Sequence, residues 1–477
     1  MTRFLSPFYS LVREHRPIIP ILVVFLVLAG SYGIVTPVFE APDEPAHYFY
    51  IKYVGDTGSL PAITDTTTEQ PWAGQGHQPP LYYSLGAHVT ALVDTSDAQQ
   101  LLQRNPHANL GYSMALGNKN ILVHSDEERF PYHGAVLAVH LGRLLSTLLG
   151  TITVLAAYLT GLEVSPQNRM IALGASLLVA LNPQFIFISG TVNNDNLVIA
   201  LSSLAVLFCL RLITRGPTGR NALALGFLLG LAQLSKLNSL PLWLLIPFVP
   251  GVAHARHRPP LKTTIQHALL ICLVALGISG WWFARNYSLY GDPTGFNAHF
   301  ALQGRRARRL TLRRLLWEGQ GLKMSFWAVF GWFNIVTNEI IYRFFDLLSL
   351  TGFLGLAISA PRFLRNKRDL SLGPLGILPL WIGIMFVSLL WWNRQVMGFQ
   401  GRLLFPAISA ISLTILWFET ILSRPMLAPS HSCACSDTAN YRFSDPLSIY
   451  CPGICSAPHT LRRGAGESAA PARYHPW

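Results

Sequence analysis

Residues 222–250 read ALALGFLLGLAQLSKLNSLPLWLLIPFVP. A bilayer core of about 30 Å needs roughly 20 apolar residues in helix. This run of 29 residues is long enough for one tilted helix. It also suits two shorter helices that turn at Ser235-Lys236-Leu237-Asn238. A lysine at the centre of a lone lipid-facing helix costs about 3 kcal/mol on insertion scales. The turn avoids that cost by placing Lys236 at an aqueous edge, so two helices are expected.

Working outward, further apolar runs lie at 18–38, 134–162, 170–190, 192–213, 264–283, 339–360, 372–392 and 402–422. With 222–250 counted twice, they predict an all-α polytopic membrane protein of about ten transmembrane helices with both termini inside. The first run follows Arg3, Arg13 and Arg16 and lacks a clear small-residue cleavage site, as in an uncleaved signal anchor. Cytoplasmic loops carry excess Lys and Arg. Ten spans put Arg211, Arg215 and Arg220 inside, then Arg256, Arg258 and Lys262, then Arg362, Arg365, Lys367 and Arg368. Arg305, Arg306, Arg308, Arg309, Arg313 and Arg314 fall outside, against the rule.

Composition agrees with the membrane class. The 477 residues are 51% hydrophobic and 12% charged, against roughly 25% charged in soluble domains. Mean hydropathy is +0.36. These values exclude a disordered chain and argue against a soluble enzyme. The net charge of +13 sits in short clusters between apolar runs, so no nucleic-acid partner is expected. Cys209 and Cys272 lie in apolar runs; Cys433, Cys435, Cys451 and Cys455 lie near the C-terminus. They form no disulfide framework, and the segment joining the two terminal pairs carries no sign of a zinc fold.

Two segments stand apart. Loop 39–133 holds 11 of the 23 acids and only four Lys or Arg. Loops of this length are functional or form small domains. Residues 423–477 are rich in Ser, Ala, Pro and Cys without apolar period, and read as a disordered cytoplasmic tail behind a transmembrane domain at 1–422.

Chemistry concentrates at a few places. Phe39-Glu40-Ala41-Pro42-Asp43-Glu44-Pro45-Ala46-His47-Tyr48 follows the first run, with Pro45 suited to a helix's first turn. One acid could simply cap that helix. Two adjacent carboxylates with His47 one turn on also suit a general base or a divalent cation site, although no further metal ligands appear at recognisable spacing. In His77-Gln78-Pro79-Pro80-Leu81-Tyr82-Tyr83, the tyrosines suit either an interfacial aromatic belt or sugar stacking. Asn193-Asn194-Asp195-Asn196 has more polar groups than a helix cap needs, so Asn194 and Asp195 are cavity candidates. Arg143 and Lys236 lie at depth in apolar runs and suit an anion site. Arg285 and Arg402 suit that site or snorkelling at a span's end.

Taken together, these motifs resemble the GT-C superfamily, the polyprenyl-phosphate-sugar-dependent membrane glycosyltransferases. Protein O-mannosyltransferases and lipid A aminoarabinose transferases carry an Asp-Glu similar to Pro42-Asp43-Glu44. A closer resemblance is to the bacterial membrane family of unknown function 2142. Its pattern is similar to Pro42-Asp43-Glu44-x-x-His47, Gln78-Pro79-Pro80-Leu81-Tyr82-Tyr83, Asn193-Asn194-Asp195, Ser235-Lys236 and Arg285-Asn286. It continues through Ser325-Phe326-Trp327-x-x-Phe330-Gly331-Trp332 and Gly401-Arg402-x-x-Phe405-Pro406. The pieces run in order over residues 15–422.

The resemblance implies a large outer first loop at 39–133, a second at 284–338 and an active site facing outside the bacterial inner membrane. It implies an inverting enzyme that moves a sugar from a polyprenyl-phosphate donor to a hydroxyl of a glycan, lipid or protein acceptor. Asp43 would be catalytic, with Glu44 assisting by orientation or by holding a cation. Arg143, Lys236, Arg285 and Arg402 would meet the phosphate; His47, His77, Tyr82, Tyr83, Asn194 and Asp195 would shape the substrate pocket. Residues 305–314 would form an interfacial helix with Leu312, Leu315 and Leu316 towards lipid. A flippase for lipid-linked sugars and a non-catalytic partner in envelope glycan assembly are the alternatives.

Overall fold

The computed structural model describes residues 14–422 apart from 65, 109–116, 308 and 366–372. The C-terminal tail with its four cysteines, and Arg308, Lys367 and Arg368, lie outside the described residues. The helices begin with α1 (Ile19–Val35), α2 (Glu44–Thr57), α3 (Leu81–Thr90), α4 (Gly134–Val164), α5 (Arg169–Ala180), α6 (Pro183–Ser189), α7 (Asp195–Thr214) and α8 (Gly219–Ser235). A 3-10 stretch, Leu237–Leu245, then leads to α9 (Phe248–His257), followed by α10 (Leu261–Tyr290), α11 (Phe296–Gln303) and α12 (Leu312–Trp327). An antiparallel hairpin, β1 (Val329–Phe330) and β2 (Ile335–Val336), pairs Val329 with Val336. Last come α13 (Glu339–Arg365), α14 (Gly373–Gln395), a 3-10 stretch Gly401–Ala407 and α15 (Ile408–Leu422).

The protein is a predominantly helical, polytopic membrane protein. Among the described residues six helical segments are long and apolar enough to cross a membrane, seven if the bent α5–α6 pair counts as one span. That is fewer than the ten read from the sequence; α8 has 17 residues and the apolar segment Gly401–Leu416 is also short. The α5–α6 bend of 63° has a local cause. Asn182 accepts the Phe185 amide and Pro183 occupies the first turn of α6, so a new helix starts there.

Packing follows from which faces are apolar. Helix α7 is apolar nearly all round and is the most enclosed span, held between α4 and α8. On α10, Leu261, Ile265, Leu269, Leu273 and Leu276 form an exposed stripe, while Ile271, Ala275, Ser279 and Trp282 face inward. The inward face lies against α8 at Gly226 and Gly230. A Cβ on Gly226 would come within 2.8 Å of the Ile271 carbonyl, and one on Gly230 within 2.7 Å of the Ile278 Cβ. This is the small-xxx-small spacing by which membrane helices approach closely.

The 222–250 run breaks where the sequence places the turn. Helix α8 ends at Ser235, and Lys236 is extended at φ −160°, ψ 141°. Pro241, lacking an amide donor, lies in the 3-10 stretch that follows. Both α8 and α9 pack on α7. The arginine-rich stretch differs from the interfacial helix expected at 305–314. Helix α12 starts only at Leu312, capped by Thr311. Leu312 and Leu316 are exposed at 72% and 70%. Arg306 instead turns inward, forking onto Glu318 at 2.9 Å and reaching Asn393 at 2.9 Å. A buried guanidinium demands such partners, and Glu318 and Asn393 lie too far along the chain for a local pattern to show them.

Candidate active site

Helix α1 ends with carbonyls that have no partner within the helix. Arg143, from α4, donates to the carbonyls of Gly33 at 2.8 Å, Thr36 at 2.6 Å and Pro37 at 2.9 Å. The same guanidinium forks onto Glu44 through Nε at 2.9 Å and Nη2 at 2.7 Å. Glu44 also accepts the amides of Phe39 at 3.1 Å and Val192 at 2.9 Å. A carboxylate offers about four acceptor sites, and all are engaged here. Glu44 is 0% exposed. This corrects the expectation that Glu44 holds a cation and that Arg143 meets an anion: neither has a face left for a ligand. Together they clamp the bend between α1 and α2.

Asp43 occupies that bend at φ 65°, in the left-handed region, where Asp and Asn are the residues most often found after Gly. The reversal sends the two adjacent carboxylates apart. Asp43 precedes α2, yet its side chain makes no capping hydrogen bond, which removes the simple cap reading. Its Oδ2 accepts Arg402 Nη2 at 2.7 Å, and the side chain is 40% exposed. Burial pushes its pKa up, but the charges of Arg402 and Lys236 and the Arg402 hydrogen bond outweigh that and hold it below the ordinary carboxylate value. Asp43 is therefore ionised at neutral pH.

A second carboxylate–cation pair stands nearby. Lys236 donates to Asp195 Oδ1 at 2.8 Å. Asp195 opens α7, its amide held by Asn193 Oδ1 at 2.9 Å, while Asn194 reaches the Ser235 carbonyl at 3.4 Å. Asp195 Oδ2 and Arg402 Nη1 are buried polar atoms without a partner. Arg402 is otherwise held by Gln400 at 2.8 Å and lies over the Phe333 ring.

Asp43, Lys236 and Arg402 line one cavity of about 590 Å³. One wall is neutral and polar, with Gln75, Gln78, Thr294 and His299. The other is apolar, with Leu237, Leu240 and Pro241 of the broken segment facing Met385 and Leu389 of α14, and Trp392 above them. Sequence reasoning missed His299 and Trp392. Trp392 reads as the aromatic end of a span, and His299 sits in a short helix without motif.

Other expected residues lie behind this cavity. His47 Nδ1 meets the Tyr83 hydroxyl at 2.9 Å, and Tyr83 stacks on Tyr50 at 3.7 Å. Tyr82 meets Ser146 at 2.8 Å and accepts the Asn193 amide at 3.0 Å. These tyrosines are buried framework, because their hydroxyls find partners on α2, α4 and the turn before α7. Burial, then the charge of Lys236, lowers the His47 pKa to about 3, so its ring is neutral. Arg285 donates to the Leu60 and Pro61 carbonyls at 3.3 and 2.8 Å and lies over Trp282, which ties it to the first loop and away from the cavity lining. His77 is buried against His299, ring centroids 4.4 Å apart. Among the described residues no group of three or more His, Cys, Asp or Glu is placed to hold a metal. Asp43 and Glu44 diverge, so the pair does not form the divalent cation site considered from the sequence.

Residues 140–282, a stretch that includes Arg143, Asp195 and Lys236, match the family described as dolichyl-phosphate-mannose-protein mannosyltransferase. No curated protein matches the chain in sequence. Among solved structures the chain is similar to ArnT from Cupriavidus metallidurans bound to undecaprenyl phosphate, at 14% identity and TM-score 0.47, covering 84% of this chain and 59% of that one. It is similar to the Archaeoglobus fulgidus oligosaccharyltransferase in the apo form, at 16% identity and TM-score 0.44, covering 83% and 50%. It is also similar to the S. cerevisiae protein O-mannosyltransferase Pmt1-Pmt2 complex bound to the sugar donor, at 17% identity and TM-score 0.36, covering 57% and 33%. The chain spans less than two thirds of each of these proteins. The family match and these three structures are all of GT-C glycosyltransferases.

Proposed function

We propose that the protein transfers a sugar from a polyprenyl-phosphate donor to an acceptor hydroxyl at the outer face of the bacterial plasma membrane. The observation that carries this reading is one cavity where an ionised Asp43 meets two cations, Lys236 and Arg402, beside an apolar wall. The match of residues 140–282 to a lipid-phosphate-sugar-dependent family supports it.

Lys236 and Arg402 hold the donor phosphate, the Arg402 Nη1 atom being free to do so. The polyprenyl chain lies along Leu237, Leu240 and Pro241 against α14. The acceptor oxygen attacks the anomeric carbon as the carbon–oxygen bond to phosphate breaks. The hydroxyl proton passes to Asp43, and the bond pair leaves with the polyprenyl phosphate. A single in-line displacement inverts the anomeric centre. Charge growing on the leaving phosphate meets the two preplaced cations. Glu44 and Arg143 act through the bend that aims Asp43.

The non-catalytic reading needs Asp43 to be a cap, which the missing cap bond disfavours. The test is sugar transfer by purified protein in lipid from a panel of radiolabelled polyprenyl-phosphate sugars, comparing the parent with Asp43→Asn. Transfer confined to the parent is expected. Equal turnover in both would refute Asp43 as base, and donor translocation without transfer would favour the flippase.

A further inference from the structure

At the cavity wall formed by α11 and the loop before α3, polar atoms accumulate that the phosphate chemistry does not use. His299 lines the cavity and is 7% exposed, yet neither ring nitrogen has a partner. Its ring packs against His77 at 4.4 Å and Trp392 at 5.6 Å. His77 Nδ1 and Gln78 Oε1 are likewise buried and unpartnered. The scaffold beneath them is hydrogen-bonded: Tyr50 donates to the Gln78 carbonyl at 3.1 Å, and Asp292 holds the start of α11 through Thr294 and Asn297. Buried polar atoms without partners are costly unless a ligand or water satisfies them.

We propose that His299 and Gln78, backed by the buried His77, form the recognition pocket for the transferred sugar, and that this sugar is uncharged. The proposal rests on the donor reading above and names the substrate class of that site. A neutral imidazole offers one donor and one acceptor, and a carboxamide offers both, which complements sugar hydroxyls that do the same. Trp392 supplies a flat apolar face for the sugar's C–H side. The ionic groups lining the cavity are Asp43, Lys236 and Arg402, all engaged at the reacting end. Among the described residues no other ionic side chain lines the cavity, so a free amine or a carboxylate on the sugar would have no ion-pair partner of its own at this wall. Burial lowers the His299 pKa to about 4, in keeping with an uncharged ring.

The test measures binding of four probes to the purified full chain in lipid: polyprenyl monophosphate, and its esters with a neutral hexose, a hexosamine bearing a free amine and a hexuronic acid. The neutral ester is expected to bind about tenfold tighter than either charged ester. His299→Ala should erase that increment and leave polyprenyl monophosphate unaffected; His299→Gln, which keeps a donor and an acceptor, should retain most of it. Unchanged melting midpoints identify folded variants, and Gln78→Ala replaces His299→Ala if the latter unfolds. Equal affinity for the three esters, or equal weakening of the bare phosphate and the neutral ester, overturns the sugar pocket alone. Failure to bind polyprenyl monophosphate at all overturns the donor reading instead.

Discussion

Two carboxylates adjacent in the chain, Asp43 and Glu44, end up in opposite circumstances. Glu44 is sealed between Arg143 and two backbone amides. Asp43 shares one bond with Arg402 and faces a cavity. Both are acid–arginine pairs of similar length, so the distance does not separate them. What separates them is unused hydrogen-bonding capacity. A pair with every lone pair engaged holds the backbone; a pair with a free guanidinium edge can exchange its partner for a ligand. Asp195 and Lys236 belong to the open kind, since Asp195 Oδ2 has no partner and Lys236 lines the cavity.

The comparison can be broken by mutation. Asp43→Asn should lower sugar transfer by about 10²–10⁴-fold, the usual contribution of a general base, with an unchanged melting midpoint. Asn tolerates the left-handed backbone as Asp does. The same variant removes the ion pair and leaves Arg402 at most a neutral hydrogen bond, so polyprenyl phosphate should bind at least as tightly as to the parent; weaker binding would refute the exchange of partners. Glu44→Ala should do the reverse. It strands a buried Arg143 and should cost about 3–5 kcal/mol, read as a fall in thermal stability in detergent micelles. A stable Glu44→Ala protein lacking only activity would overturn the closed-pair assignment.

A smaller effect is expected from Lys236→Gln, which keeps a hydrogen bond to Asp195 but removes the charge. Donor affinity should fall about tenfold, since hydrogen bonds to charged groups contribute about 1.5–3 kcal/mol. Titration by calorimetry checks this, and unaltered affinity would remove Lys236 from the phosphate site.

The smallest effect concerns a second closed cluster, in the first loop. Glu40 accepts the Ile121 and Leu122 amides and His124 Nε2, while His124 Nδ1 meets Glu128. Burial pushes the His124 pKa down, but Glu128 and Glu40 outweigh it and raise it from 6.5 to about 9. A histidine whose folded pKa is raised stabilises fully below its unfolded value and loses that contribution as pH rises through the folded value. The melting midpoint should therefore decline between about pH 6.5 and 9, and His124→Gln should flatten that slope. An unchanged slope in the variant would assign it elsewhere.

How much was legible depended on whether the controlling physics is local. The membrane class and the break near Lys236 are local matters, decided by hydropathy and by the cost of one lysine in one helix. That Asp43 and Glu44 need partners is also visible, because adjacent acids beside an apolar run are costly to leave unpaired. Arg143 was misjudged as an anion site because its partner lies 99 residues away. His299 gave no signal, being a lone histidine in an eight-residue helix.

The amino-acid sequence by itself determined the solvent each segment requires, since transfer between water and lipid is summed residue by residue. It determined where α8 must stop, and it placed two adjacent acids just past the end of the first apolar helix. Only the tertiary structure decided which acid faces the cavity. That choice rests on one left-handed residue at Asp43 and on the convergence of α1, α4 and the turn before α7 upon Glu44. It likewise decided that Lys236, Arg402 and His299 share one wall-to-wall space, because electrostatic and hydrogen-bond partners are chosen by proximity in space and not by separation along the chain.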